Sequence, residues 1–102
     1  MSTLAEVFDK DRRLVLLRLL NEADNYELSA PLLTKAAAQL CHRVYPDVID
    51  ADLVLLEQHG LVRRSDLTVP GSTMTIATLT KLGRDVADGR PHPMVARPSP
   101  KD

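Results

Sequence analysis

The residues best equipped to bind something are Lys35, Arg43, Arg63 and Arg64. A guanidinium or ammonium neutralises a phosphate, and phosphate neutralisation supplies much of a protein's affinity for nucleic acid. Arg63 and Arg64 are adjacent, and Ser72 and Thr73 follow a Pro70-Gly71 pair a few residues on. Hydroxyls there add hydrogen bonds to phosphate oxygens. The competing use of the two arginines is to charge an exposed strand edge. Solubility accounts for Lys35 and Arg43 equally well. Cys41, His42, His59 and His92 are the side chains that could ligate a metal, but only one thiol is present and the spacing follows no zinc pattern. No metal and no cofactor is expected, and Cys41 reads as a packed small side chain. For catalysis no Ser-His-Asp spacing occurs. Gly60, Gly71, Gly83 and Gly89 lie far apart, each fitting a turn or cap and not a phosphate loop. The chain is not expected to be an enzyme.

Elements must hold these side chains. Thr3-Leu-Ala-Glu6 fits a capping box and predicts a helix start. Leu4, Val7 and Phe8 form its first apolar stripe, residues 9–13 interrupt it as a solvated charged face, and Leu14 to Leu20 resume it. One bent helix and two helices are both compatible with this. The stripe of Leu4, Val7 and Phe8 is more than a small chain need cover by itself. It predicts a homodimer, the alternative being that the segment folds back on its own core. Asn21 to Tyr26 reads as a loop. Ser29 is an N-cap with Pro31 in the first turn, and Leu33, Ala36, Ala37 and Leu40 mark one buried helical face. After a turn at Val44-Tyr45, Pro46 opens a further helix in which Ile49, Leu53 and Leu56 recur at core spacing, with Gly60 as its stop. Residues 61–69 and 74–79 are strand-like runs joined at a Pro70-Gly71-Ser72 tip, and Thr80 caps a last short helix.

Helix, turn, helix, then a two-stranded hairpin is the order of a winged helix-turn-helix: mainly α with a small β-hairpin wing, a fold used chiefly to bind nucleic acid. The helix that would enter a DNA groove carries Asp47, Asp50 and Asp52. With Ile49, Leu53 and Leu56 toward the core, Asp47, Asp50, Ala51 and Val54 face outward. Carboxylates repel phosphates, although an aspartate can accept from cytosine.

The 102 residues make one domain, with residues 1–89 as the winged helix and its N-terminal helical extension. Residues 90–102 hold four prolines and read as an extended tail that could lay Met94 and Val95 across a partner. With aromatics at 3%, the core must be built of Leu, Val, Ile and Ala, and stacking platforms for single strands are scarce. A net charge of -1 excludes a general basic field, so any nucleic-acid contact is a local patch. No apolar run nears the roughly 18 residues of a membrane helix, and no signal peptide is read. The single cysteine suits a reducing cytoplasm.

Four pieces carry a resemblance. They are Asp11-Arg-Arg-Leu14 with Leu16-Leu-Arg-Leu-Leu20; Leu32-Leu33, Leu40 and His42-Arg-Val44; Asp52-Leu53, Leu56-Glu57 and Gly60-Leu-Val62; and Leu79-Thr80, Gly83 and Val86-Ala87 with the proline-rich tail. In this order and spacing the chain resembles small winged-helix proteins, often labelled ArsR-like or DNA-binding, of Mu-like phages and prophages. The resemblance implies a DNA-binding role in the bacterial host's cytoplasm, in transcription regulation or DNA positioning, with double-stranded DNA as partner. The alternative is a protein-interaction module on the same scaffold in phage morphogenesis, partnered by another phage protein and binding no DNA. The sequence departs from that family's pattern in its acidic groove-facing helix, where basic or polar residues are expected.

Overall fold

Thr3 opens the first helix as anticipated: its hydroxyl accepts the Glu6 N–H at 3.2 Å. In a computed structural model describing residues 3–97, that helix, α1 (Leu4–Glu22), runs unbroken through the charged segment. A 3-10 turn (Asp24–Tyr26) and a short strand, β1 (Glu27–Ser29), follow. Ser29 then caps α2 (Ala30–Ala38) by accepting the Leu32 N–H, with Pro31 in the first turn. Pro46 opens α3 (Pro46–Gln58). Strands β2 (Val62–Val69) and β3 (Ser72–Leu79) meet at Pro70-Gly71, where Gly71 takes a φ of 83°, open to glycine because it lacks a Cβ. Thr80 caps α4 (Lys81–Ala87) by accepting from Gly83 N–H.

The sheet is antiparallel, in the order β1-β3-β2. β1 was not anticipated: residues 21–26 read as a loop running straight to the Ser29 cap. Three residues carry no pattern of their own, and the partner of Glu27 is Thr78, far along the chain. Register sorts the side chains, because paired residues share a face and neighbours alternate. Val62, Leu79 and Ala77 turn to the core, while Arg63 and its partner Thr78 lie on the other face.

Leu14, Leu16, Leu17 and Leu20 of α1 meet Leu33 and Ala37 of α2, Ile49, Leu53 and Leu56 of α3, and Val86 of α4 in one apolar cluster. No aromatic ring joins it: Phe8, Tyr26 and Tyr45 are all exposed. On α2 the expected face is half right. Leu33 and Ala37 are buried, Ala36 is partly exposed, and Leu40 stands beyond the helix end with 65% of its surface in solvent. Gly83 is neither turn nor cap. It lies inside α4 where the helix crosses the chain entering β2, and a Cβ there would sit 2.1 Å from the Leu61 carbonyl oxygen.

Two further expectations are corrected. Residues 9–13 are not simply a solvated face, because Arg12 and Arg13 are largely covered and both reach Asp52, itself 2% exposed. The described part of the C-terminal segment, residues 90–97, is not an extended strand of polyproline type. His92 and Val95 form a bridge around a turn, Val95 is buried in the core, and Ala96 N–H donates to the Lys10 carbonyl at 3.1 Å. Met94 and Val95 dock on their own chain. Pro98 to Asp102 lie outside the described residues.

Candidate nucleic-acid interface

Helical geometry puts position 52 on the same face as 49, 53 and 56, so Asp52 enters the covered side of α3 despite its charge. The carboxylate survives there because its oxygens are fully engaged. Arg12 Nη2 donates to Oδ1 at 2.9 Å, Arg12 Nε donates to Oδ2, and Arg13 Nε donates to Oδ1 at 3.2 Å. Arg12 also donates to Asp9, and Arg13 donates to the Met94 carbonyl at 3.1 Å. The hydrogen bond with Asp52 raises the Arg12 pKa above its ordinary value against the opposing effect of burial. The outward face of α3 therefore holds two aspartates, Asp47 and Asp50, with Ala51 and Val54 beside them.

Arg63 and Arg64 do not act together. As strand neighbours they face opposite ways. Arg64 turns to α3, where its Nε donates to Glu57 Oε1 at 3.0 Å and its backbone N–H donates to Oε2 at 2.9 Å. These bonds, the backbone one first, draw the Glu57 carboxyl below the ordinary carboxylate range. Arg64 is thus already neutralised, and Glu57 covers an N–H on the open edge of β2. Arg63 instead lines a cleft of about 460 Å³ with Tyr26, Lys81 and Arg84. The Arg84 guanidinium carbon lies 4.8 Å from the Tyr26 ring centroid. Sequence reading missed Tyr26, Lys81 and Arg84; only the spacing of Lys81 and Arg84 along one helical face was there to be seen.

Ser72 and Thr73 line a groove of about 430 Å³ with Met74 and Thr75, closed by Ala30, Pro31 and Thr34 of α2 and by Pro46 and Asp50 of α3. Among the described residues no lysine or arginine lines it. Lys35, on α2, and Arg43, in the turn before α3 with a φ of 57°, are exposed. Among the described residues, Lys35, Arg43 and Arg63 enter no ion pair. Leu4, Val7 and Phe8 are exposed on the opening turns of α1, at 68%, 48% and 61%.

His59 and His92 rings pack edge to face, 5.2 Å between centroids. Among the described residues no three His, Cys, Asp or Glu side chains gather as a metal site, and no helix is long and apolar enough to cross a membrane. Burial, then the charge of Asp11, pushes the Cys41 thiol up, away from a reactive thiolate.

No protein-family model matches the sequence. A curated protein of Escherichia phage Mu, described as "Uncharacterized protein gp26", is 33% identical over 97 residues, covering 94% of this chain and 96% of the phage protein.

Proposed function

The chain belongs to the family of the phage Mu protein gp26, and from that premise we propose that it is a winged-helix DNA-binding protein of a Mu-like phage, a transcriptional regulator or DNA-positioning factor. The observation that carries the reading is that Lys35, Arg43 and Arg63, on α2, on the turn into α3 and on β2, are exposed and, like Arg18 and Arg97, enter no ion pair among the described residues. They suit contact with backbone phosphates. The outward side chains of α3 do not suit base reading, since no arginine or asparagine stands on that helix and its one glutamine is at the last position. Positioning along the duplex is favoured over recognition of one sequence. Homodimerisation through Leu4, Val7 and Phe8 is part of the same proposal, because a dimer doubles the phosphate contacts without new basic residues.

Binding of the full chain to a short duplex, followed by fluorescence anisotropy at low and physiological salt, tests this. Replacing Lys35, Arg43 or Arg63 by alanine should each flatten the salt dependence by about 0.9 in slope. Asp47→Asn with Asp50→Asn should tighten binding, as two carboxylates no longer oppose the phosphates. No binding by the native chain and none by the Asn variant, at low salt, rejects the reading. Sedimentation of native and Phe8→Asp chains tests the dimer, and a monomer at high native concentration removes it.

A second reading, a protein-interaction module, is favoured by the groove beside Ser72 and Thr73. It offers Ala30, Pro31, Pro46 and Met74 and one carboxylate, Asp50, which fits a peptide better than a phosphate.

A further inference from the structure

Asn25 and Tyr26 are consecutive non-glycine residues in the left-handed region, at φ 56° and 59°. Asparagine tolerates that conformation, whereas a tyrosine Cβ crowds its own carbonyl there, and such strain persists only where surrounding contacts impose it. One such contact is plain. The turn, closed by Tyr26 N–H donating to the Ala23 carbonyl at 3.0 Å, brings the Tyr26 ring against the Arg84 guanidinium. The ring's negative face holds the cation by electrostatic attraction and limits its motion. A pinned guanidinium gives up little freedom when it binds an anion.

Arg63 reaches the same cleft from the outer face of β2, and Lys81 stands at its rim on α4. The remaining lining, Asn25, Thr78, Leu79 and Thr80, carries no charge. Two carboxylates stand near the cleft: Glu27 accepts from the Thr78 hydroxyl at 3.3 Å and keeps its charge, and Asp85 lies 3.8 Å from Lys81 and 3.9 Å from Arg90, whereas Arg63 and Arg84 enter no ion pair among the described residues. Three cations on a concave surface, one of them fixed in place, match the charge and donor geometry of a phosphate, to which guanidinium groups bond in pairs.

We propose that the cleft of Tyr26, Arg63, Lys81 and Arg84 is a phosphate-binding site. Arg84 and Arg63 donate the hydrogen bonds, Lys81 adds charge, and Tyr26 positions Arg84. The site does not use α3. It rests on the DNA-binding reading only for the source of the phosphate, which is a duplex backbone or a free phosphate compound.

The full-length chain, with arginine side chains followed by nitrogen NMR, is titrated separately with pyrophosphate and with a short duplex. The Nε–H resonances of Arg63 and Arg84 should move, and those of Arg12 and Arg13 should not. Arg84→Ala and Arg63→Ala should each weaken binding roughly tenfold, Lys81→Ala less, because the guanidinium bonds are charge-assisted. Tyr26→Phe keeps the ring and should keep the affinity, whereas Tyr26→Leu should lower it. Movement with both ligands supports a backbone site. Movement with pyrophosphate alone supports the site and rejects DNA as its source. If both resonances stay still with pyrophosphate as well as with a duplex that binds, and Arg84→Ala binds the duplex as the native chain does, the site is overturned and the DNA reading stands. Still resonances with both ligands overturn it outright, and since this is read on the native chain, a misfolded variant does not obscure the answer.

Discussion

The chain contains two Arg-Arg pairs, and they meet opposite fates. Arg12 and Arg13 lie on a helix, where neighbours are about 100° apart, so both can turn toward one side and share one partner. They close on Asp52 and tie α1 to α3, with Arg13 also holding the C-terminal segment at Met94. Arg63 and Arg64 lie on a strand, where neighbours point to opposite faces. Arg64 is spent on Glu57, and Arg63 stands in an open cleft with no ion-pair partner among the described residues. A dipeptide has no role until the period of its backbone is known. The covered pair is structural because its carboxylate is inaccessible, and the exposed pair divides its duties because its backbone does.

This contrast can be broken most forcefully at Asp52. Asp52→Ala leaves two largely covered guanidinium groups without their acceptor and should cost about 3–5 kcal/mol in a urea melt. An effect below that of ordinary surface changes would mean that water already satisfies the arginines. Next to it, Leu53→Ala should cost about 2–5 kcal/mol by opening a cavity in the core. If Ala51→Ser on the outward face did more harm than Leu53→Ala, the assigned face of α3 would be rotated. Glu57→Gln should cost several-fold less than Asp52→Ala, since exposed ion pairs are screened by water and salt. The stability from Glu57, whose pKa is lowered in the folded chain, is present above the ordinary carboxylate value and lost as pH falls. Equal losses from the Glu57 and Asp52 changes would abolish the distinction between the two pairs.

The smallest effect concerns the segment that Arg13 holds. His92 Nδ1 accepts the Met94 N–H at 3.1 Å, so only the neutral ring can make this bond. Burial, then the charges of His59 and Arg90, lowers its pKa below the ordinary 6.5. The unfolded chain therefore takes up the proton first. The contribution is complete above about pH 6.5 and declines as pH falls through and below it. Hydrogen exchange at the Ala96 amide, corrected for intrinsic rate, should lose protection over that interval while core amides in α1 keep theirs. A flat profile would assign the hold on the segment to Arg13 and Val95 alone.

Much of this was readable in advance. The apolar spacing of Ile49, Leu53 and Leu56, with Pro46 and Gly60 as bounds, located α3, and Pro70-Gly71 located the hairpin. The burial of Asp52 is legible in its position between 49 and 56 on the apolar stripe, but Asp52 was counted with the acids of the groove helix, and Arg12 and Arg13 with a solvated face. β1 was not readable, because its strand character comes only from pairing with residues 76–78. Nor was the Tyr26–Arg84 contact, which depends on a left-handed backbone that tyrosine rarely adopts. Leu40 misled because the helix stops two residues before it. Of the candidate interface, Arg63 has no ion-pair partner among the described residues, Arg64 is exposed but paired with Glu57, and Ser72 and Thr73 adjoin a carboxylate where a cation was wanted.

The bond from Arg13 to the Met94 carbonyl spans 81 residues. A growing chain emerges at about 5–20 residues per second, so α1 waits roughly 4–16 s for the segment that completes its surroundings. During that interval Arg13 lacks one acceptor and the apolar site filled by Val95 stands open. A truncation after Gly89 would leave that last apolar site open permanently. Production yield should therefore depend more steeply on residues 90–97 than their small share of the core suggests.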